Sequence, residues 1–422
     1  MFIFVLILIP SMLVFGQQED LPYYQEEEKE NKLEWNGNLD VKYKLFNMNQ
    51  NSSLYKLQFY NELPSSSLLS QYSIEPYLNA EYRTSDLGFI LKTHGLYYSD
   101  KNSSFDLFEA YASFNPSFNT NLQAGKKLYS WGKGYAFNPV GFVNPIKDPE
   151  NPELAQAGLL SANIEYVKSF SSEALQSFSL LAVIIPTSGI SGTSFGEFKN
   201  TDMALKASLL LWDTDIDMLA YFSSINPKRF GIDFSKNLQD NIEIHGELSY
   251  NQNVEQNIIA NSLLVTELID HYSFLFGLRY LNESNTTIIA EYYHNGAGLN
   301  KDEFSQYVSF INKGVNNIDP IIKQQTLGLS QTYFKGTTLM QDYIYIKVSH
   351  PEPFDWLYLT PSLYTIYNLA DNSFLLSFQM SYKPVTNTEF IFWATTFSGD
   401  DTTEYGGKQV MQRMELWMRV FF

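Results

Sequence analysis

The sequence predicts an all-β fold, a transmembrane antiparallel β-barrel of about 18 strands, with 16–20 open. Three observations support this prediction. From residue 33 onward, short segments alternate apolar and polar residues, which predicts strands with one apolar and one polar face. After a single apolar run at residues 2–15, no run approaches the length of a membrane-spanning helix. The chain also ends on an alternating segment, at residues 409–422.

The N-terminal region predicts export from the cytoplasm. Residues 1–16 are expected to be a signal peptide, followed by an acidic periplasmic lead-in at 17–32 and the barrel at 33–422. The apolar run at 2–15 is too short for a spanning helix but suits the core of a signal peptide. Its first residues contain no Lys or Arg, so the true start of translation stays open.

The alternating segments predict the order of strands and connections. Nineteen segments can be marked, including one at 54–63, with a weaker one at 325–334. Because single-chain bacterial barrels have even strand numbers, one N-terminal segment is a miscount and eighteen strands are expected. Short connections then alternate with long ones, which are expected outside the cell at 129–157, 187–201, 252–271, 295–339 and 399–408. In this scheme 325–334 belongs to a long loop.

The last segment favours a membrane barrel over a soluble sheet. Met414, Leu416, Met418, Val420 and Phe422 alternate with Arg413, Glu415, Trp417, Arg419 and Phe421. A chain that ends on such a strand resembles outer-membrane β-barrels. The resemblance implies that this strand closes the barrel and that the barrel-assembly machinery recognises it through Phe422. The alternative, the final strand of a soluble sheet, would show the same alternation, so the signal peptide together with the terminal Phe favours the membrane barrel.

Composition and motifs exclude several classes of function. A formal net charge of −18 argues against nucleic-acid binding, which needs a basic surface. The absence of cysteine excludes disulfides, thiolate metal sites and cysteine nucleophiles. The five histidines show no metal-ligand spacing, and no nucleophile elbow or phosphate-binding loop occurs. No enzyme, metal or cofactor is therefore predicted.

Charged residues on the faces assigned to the barrel interior are the candidate functional residues. A charge that faces lipid is costly, so these residues should face the lumen or lie near an interface. They either form a constriction that sorts solutes or pair with one another to bridge strands, and the sequence does not separate the two. Together with one tryptophan, the candidate lumen and constriction residues are Glu109, Lys127, Trp131, Arg229, Asp233, Glu247, Arg279, Glu291, Lys347 and Arg413.

Two stretches add to the alternation. The connection at 129–157 contains a Trp-Gly turn and three Xaa-Pro steps, which stiffen it, so it is expected either to fold into the lumen or to cap the barrel. The second stretch is a hairpin that places Arg279 and Glu291 on one inner face, where the two are expected to pair.

A family resemblance rests on these stretches. The sequence resembles porin-like outer-membrane barrels of Gram-negative bacteria over residues 105–422. The residues that carry the resemblance are Gly125-Lys126-Lys127, Trp131-Gly132, Asn138-Pro139, Gly277-Leu278-Arg279-Tyr280, Glu291-Tyr292-Tyr293 with its Asn295-Gly296 exit, and Asn368 to Ser373. It implies a barrel in the outer membrane, with the lipid bilayer and a small solute as partners. Porins of this size are often trimers, so a homotrimer is open.

The expected function is passive, non-enzymatic passage of a small solute or an export product through the lumen. Because both signs of charge are interspersed, no strong preference for anions or cations is expected. One alternative is an occluded, surface-displayed barrel whose long loops bind polysaccharide or a partner. A second is a barrel enzyme acting on lipids, which needs a Ser, His and acid cluster at the rim.

Overall fold

The computed structural model describes residues 32–62, 64–100, 102–186, 200–336 and 338–422. The predicted signal peptide at 1–16, all but the last residue of the predicted lead-in at 17–32, and residues 187–199 of the predicted long connection at 187–201 lie outside the described residues. No helix in the described ranges has the length and apolar character that crossing a membrane requires.

Strands dominate the part of the chain that the structure describes, where eighteen form a single sheet. They are β1 (Lys32–Met48), β2 (Leu68–Arg83), β3 (Leu87–Tyr98), β4 (Ser103–Ser117), β5 (Thr120–Lys127), β6 (Leu159–Ser169), β7 (Leu175–Ile185), β8 (Asp202–Leu211), β9 (Thr214–Phe222), β10 (Lys228–Gln239), β11 (Ile242–Ala260), β12 (Leu263–Leu281), β13 (Thr287–His294), β14 (Asp342–Ser349), β15 (Leu359–Asn368), β16 (Phe374–Val385), β17 (Thr388–Ser398) and β18 (Val410–Phe421). Three α-helices lie between them in the described ranges, α1 (Ser53–Gln58), α2 (Lys301–Asn316) and α3 (Pro320–Tyr333).

The sheet closes on itself. Every strand pairs antiparallel with its neighbours in the chain, and β1 pairs with both β2 and β18. The terminal Phe422 takes part in the closure, because its N–H and C=O each bond Gly37 at 3.0 Å. A closed sheet leaves no unpaired edge, so each strand's backbone groups are satisfied within the barrel. The prediction of an eighteen-stranded antiparallel barrel is confirmed.

The period of two separates an apolar outer surface from a polar interior. On β1, Leu39 and Val41 are each 37% exposed, whereas Asp40 is 0% and Lys42 4% exposed. Asp40 and Lys42 lie among interior carboxylates and basic groups, for example Glu75, which accepts a hydrogen bond from Lys42 at 2.5 Å. Apolar side chains therefore face outward and charges inward, as the alternation predicts.

The two ends of the barrel differ in their connections. Both the start of β1 and the end of β18 lie at the end where most strands are joined by turns of two to five residues, such as 212–213, 240–241 and 386–387. The opposite, long-loop end carries the connections at 128–158 and 295–341, and α1.

Two predicted segments are wrong. The segment 54–63 is not a strand: its first part is α1, in which buried Tyr55 and Leu57 pack inward and Ser52 caps the N-terminus. This is the miscounted segment. The segment 252–271 is not a long loop, because β11 and β12 continue through it and meet at a two-residue turn, Asn261 and Ser262, both with positive φ. A register shift after Asn251 breaks the alternation there and hides the strand from a periodicity argument. The segment 325–334 was correctly assigned to a long connection. It lies in α3 and its C-cap, within the connection between β13 and β14.

Candidate functional site

The connection between β5 and β6, residues 128–158, folds into the barrel interior, and we call it the lumen loop. It leaves the wall at β5 and its backbone reaches β11 and β13 on the opposite side through Gly134 and Ala136. Further along, Glu150 reaches β15 and β18. The loop therefore spans the lumen rather than standing outside it.

One interior carboxylate, Glu247 on β11, binds three backbone N–H groups of the lumen loop. Its Oε1 accepts from Lys133 at 2.7 Å and Gly134 at 2.6 Å, and its Oε2 accepts from Val140 at 3.1 Å. The turn that presents these N–H groups includes Gly132, whose φ of 91° favours glycine. Buried N–H groups without a partner are costly, so this carboxylate replaces the hydrogen bonds that secondary structure would supply.

A second carboxylate, Glu291 on β13, binds the next part of the loop. Its Oε1 accepts from Tyr135 N–H and its Oε2 from Ala136 N–H at 2.9 Å. His245 Nε2 lies 3.1 Å from Oε1. Two wall positions, on β11 and β13 either side of β12, thus fix five N–H groups of one loop segment, and both carboxylates are nearly inaccessible to solvent.

The distal part of the lumen loop is tied to the wall by ionic and polar contacts. Glu150 lies 3.3 Å from Lys408 and 3.4 Å from Arg413, and its carbonyl accepts from Tyr364 O–H at 2.6 Å. Glu153 lies 3.3 Å from Lys347, whose ammonium also donates to Tyr135 O–H. The distal part of the loop is therefore held at several points around the barrel wall.

An apolar cluster supports the base of the loop. Trp131 is buried and packs edge-on against Tyr129 at a ring distance of 6.4 Å, and its backbone N–H donates to Asn144 Oδ1 at 2.9 Å. The cluster joins loop residues to strands β7 to β9 and comprises Tyr129, Trp131, Val140, Phe142, Val143, Val183, Ile185, Ala204, Leu219 and Tyr221. Trp131 therefore acts as a packing residue of the loop and presents no ring to open solvent.

Two cavities remain beside the loop. One of about 470 Å³ lies between loop residues 151–155 and the wall formed by β14 to β18, β1 and β2. The other, of about 450 Å³, is lined by Lys133, Lys147, Arg279 and Glu243, among others. Lys347 and Glu153 line both, so this ion pair marks the boundary between them. Both cavities are polar and large enough for a small hydrated solute.

The remaining predicted site residues face the interior but are not all brought together. Glu109 pairs with Lys92 at 2.6 Å, and Lys127 lies over the Tyr129 ring at 5.1 Å. Arg229 stacks on Tyr221 at 5.8 Å. Of the ten candidate residues, Trp131 belongs to the lumen loop, and Glu109, Glu247, Glu291, Lys347 and Arg413 contact it directly. Asp233 lies 3.9 Å from Lys133 of the loop.

The predicted pair of Arg279 and Glu291 is wrong. Arg279 stands opposite Glu243 in the register of β11 and β12, and the two charged groups lie 4.0 Å apart. Glu291 stands opposite Gly277, which is two residues from Arg279 along β12. The oxygens of Glu291 already accept hydrogen bonds from the lumen loop and contact His245. Arg279 and Glu291 share an inner face, but the Glu291 carboxylate binds the lumen loop instead. The sequence of the hairpin alone does not reveal this contact.

A helical assembly covers part of the long-loop end, and we call it the cap: α1, α2, α3 and residues 399–409. Its apolar side chains form one cluster with inward-facing side chains of the neighbouring strands. The cluster includes Phe304, Tyr307, Ile311, Phe334 and Met340. From the sequence, α2, α3 and residues 399–408 were expected to lie in long loops, and α1 was expected to be a strand. The signal that was present is the capping box at the start of α2, Asn300 with Glu303.

Glu404 links the cap to the barrel. Its carboxylate accepts from Leu339 N–H at 2.5 Å, Tyr343 O–H at 2.8 Å and Asn368 Nδ2 at 2.6 Å. Burial raises the pKa of Glu404 to about 7, although these donors act in the opposite direction. Glu404 was not among the residues expected from the sequence to be functional. Among the described residues, no group of three His, Cys, Asp or Glu side chains is placed to hold a metal ion.

The fold is similar to that of solved porins. OccK2 (OpdF) of Pseudomonas aeruginosa, solved in complex with glucuronate, has a TM-score of 0.55 and 9% identity, over 92% of this chain and 98% of that chain. OpdL of Pseudomonas aeruginosa has a TM-score of 0.54 and 12% identity over 92% and 98% of the two chains. A BenF-like porin from Pseudomonas fluorescens has 0.53 and 12% over the same shares. No protein-family model matches the chain, and no curated protein does. The predicted porin-like barrel is confirmed at the level of fold.

Proposed function

We propose that this chain is an outer-membrane channel of a Gram-negative bacterium, through which small polar solutes pass down their gradient. The observation that carries the proposal is the lumen loop, which crosses the interior, is fixed by Glu247 and Glu291, and leaves two polar cavities of about 470 and 450 Å³ beside it. A loop fixed in this way narrows the lumen without filling it. The similarity of the fold to porins supports the same function.

The charges beside the loop support passage without strong ion selectivity. Lys347 pairs with Glu153, Arg413 with Glu150, and Arg419 with Asp40 at 2.7 Å, so basic groups are accompanied by carboxylates. OccK2 was solved with glucuronate, a small sugar acid, and we take from it the size class of solute rather than its charge. The direction of passage, uptake or export, follows the gradient. No step is enzymatic.

Several partners belong to the same proposal. The outer surface would contact the lipid bilayer, and the terminal strand, ending at Phe422, would be read by the barrel-assembly machinery. Residues 1–16 would be removed as a signal peptide, with 17–32 in the periplasm. A homotrimer remains open, as porins of this size often form one.

Single-channel recording of the refolded protein in a planar bilayer tests the proposal. We expect stable conductance steps and a reversal potential near zero in a salt gradient. The matched control is the same sample after heat unfolding, which should be silent. A correctly folded, heat-modifiable barrel without conductance would contradict the proposal and favour the occluded, surface-displayed barrel. A steep preference for anions or for cations would contradict the proposed lack of strong ion selectivity.

A further inference from the structure

The longest connection at the short-turn end carries an exposed apolar surface. Residues 350–358 join β14 to β15, and we call them the aromatic turn. Phe354 is 102%, Trp356 57%, Leu357 59% and Tyr358 62% exposed. Four of five successive positions are therefore large apolar side chains that the protein itself leaves uncovered. Such a patch marks a contact surface.

The backbone of the aromatic turn is arranged to present these side chains. Glu352, Phe354, Asp355 and Tyr358 all have φ between 52° and 63°, a left-handed conformation that residues other than glycine disfavour. Bonds that hold it run from Glu352 N–H to the Leu359 carbonyl at 2.7 Å and from Tyr358 N–H to the Glu352 side chain at 2.9 Å. A disfavoured backbone that is held in place by such bonds and exposes its apolar groups points to a function for this turn.

The aromatic turn bends toward the outer surface of the barrel. Trp356 packs edge-on against Tyr382 at a ring distance of 5.7 Å, and Lys383 N–H donates to the Tyr358 carbonyl at 3.1 Å. Tyr382 is on the outer face of β16, because its neighbour Ser381 points inward and bonds Glu389 at 2.5 Å. The turn therefore continues the apolar outer surface instead of extending straight away from the barrel end.

Other connections at this end lack such a surface. The turns at 240–241 and 386–387 consist of Asp-Asn and Thr-Asn, and the turn at 84–86 is Thr-Ser-Asp. Phe118 and Trp212 are exposed in their turns, but each is a single large apolar residue within a two-residue turn. Length, backbone conformation and clustered aromatics distinguish the aromatic turn.

We propose that the aromatic turn inserts into the headgroup region of the inner, phospholipid leaflet and anchors the β14–β15 hairpin there. This inference rests on the proposed placement of the barrel in the outer membrane. Trp and Tyr favour the membrane interface, where one part of the ring is apolar and the other can reach water. The occupant is lipid rather than a second copy of the chain because the patch is continuous with the apolar outer surface through Tyr382.

The anchored hairpin also carries part of the candidate site. Lys347 on β14 binds Glu153, and Tyr364 on β15 binds the Glu150 carbonyl, both in the lumen loop. Fixing the depth of this hairpin in the membrane therefore fixes the wall against which the distal part of the loop is held.

Site-specific fluorescence tests the proposal, and the absence of cysteine makes labelling unambiguous. Leu357→Cys carries an NBD label, and Ser85→Cys, in the polar turn at the same end, is the matched control. Both variants are refolded into phosphatidylcholine vesicles with and without shallow doxyl-labelled lipid. We expect a blue-shifted emission at position 357 and quenching at least about twofold stronger than at position 85. Without a label, Trp356→Phe should reduce the fraction of intrinsic fluorescence that the same lipid quenches.

Different results separate failure of this inference from failure of the proposed function. A conducting, folded barrel whose label at 357 emits and quenches like the label at 85 overturns the inference alone. A blue shift that depends on protein density and not on doxyl lipid also overturns it, and shows that a second copy covers the patch. A folded barrel that does not insert into vesicles overturns the proposed function as well.

Discussion

The lumen loop and the cap both fill space at the long-loop end, yet they satisfy their backbones in different ways. The lumen loop has no regular secondary structure between β5 and β6, and Glu247 and Glu291 of the wall bind its N–H groups. In the cap, α2 and α3 satisfy their own N–H groups, and the contact with the barrel is made by apolar side chains such as Phe304 and Ile311.

The difference teaches what each region needs from the barrel wall. A segment with irregular backbone must find acceptors wherever it is buried, so its position depends on a few buried carboxylates. A helical segment needs only a complementary apolar surface, which tolerates exchange of one apolar side chain for another of similar volume. Changes in wall carboxylates should therefore affect the lumen loop, and changes in apolar volume should affect the cap.

The largest effect is expected when both wall carboxylates are removed. Glu247→Ala with Glu291→Ala leaves five loop N–H groups without acceptors, at a cost on the order of 5 kcal/mol to the docked loop. Single-channel conductance should rise and become noisy, because the loop leaves its position. Glu243→Ala is the control for the loss of an inner charge beside the same cavity, since Glu243 lies on the same face of β11 and bonds Ser235 and Arg279 instead of the loop, so its conductance should show no added noise. Unchanged conductance in a heat-modifiable double variant contradicts the role given to the two carboxylates.

A slightly smaller effect is expected in the cap. Phe304→Ala removes a buried ring at the centre of the cap cluster and should cost about 3–5 kcal/mol of local stability. Hydrogen exchange of α2 should accelerate while the exchange of the lumen loop stays as in the parent. Ser309→Ala, at an exposed position of the same helix, should leave both rates unchanged. Equal acceleration in cap and loop would show that the two regions open as one unit.

The cap should also lose stability as pH rises, through Glu404. Its pKa is raised from 4.5 to about 7 in the folded cap, so between these values the folded form holds a proton that the open form releases. Stability is then full below pH 4.5, falls by about 3 kcal/mol as pH rises to 7, and levels off above it. Hydrogen exchange of α2, corrected for intrinsic rates, measures this, and Glu404→Gln should abolish the slope. A slope that persists in Glu404→Gln assigns the titration to another group.

The smallest effect is expected at the distal part of the lumen loop. Tyr364→Phe removes one hydrogen bond, from Tyr364 O–H to the Glu150 carbonyl, and should cost about 1 kcal/mol. Conductance should keep its mean value with a modest increase in open-channel noise. Tyr367→Phe is the comparison, since Tyr367 on the same strand bonds Asn372 away from the loop. An increase in conductance and noise as large as that of the double carboxylate variant would show that the distal contacts, rather than Glu247 and Glu291, hold the loop in place.

The features of the fold that depend on local pattern could be predicted from the sequence. The alternation along β1 and β18 requires only neighbouring residues, so the inner and outer faces followed from it directly. The pattern failed at 252–271, where a register shift moves side chains out of phase, and at 54–63, where three apolar residues served a short helix. Both failures occurred where tertiary contacts override a short-range signal.

The candidate site was predictable in its members but not in its contacts. Glu247 and Glu291 were expected to face inward because charge does not face lipid, and the Trp-Gly and Xaa-Pro steps predicted a stiff connection at 129–157. That the carboxylates bind this connection depends on how far a loop reaches across a closed barrel, which no local spacing reports. Glu404 was missed for the same reason, since its partners come from three other parts of the chain.

The reach of the lumen loop also imposes an order on assembly. Gly134 and Glu247 are 113 residues apart in sequence, and Tyr135 and Glu291 are 156 apart. Contacts of such separation form late, because the intervening chain must first be ordered. The loop therefore cannot dock until β11 and β13 have joined the sheet, because its acceptors Glu247 and Glu291 lie on these two strands. A narrowed lumen therefore indicates that most of the barrel wall has formed.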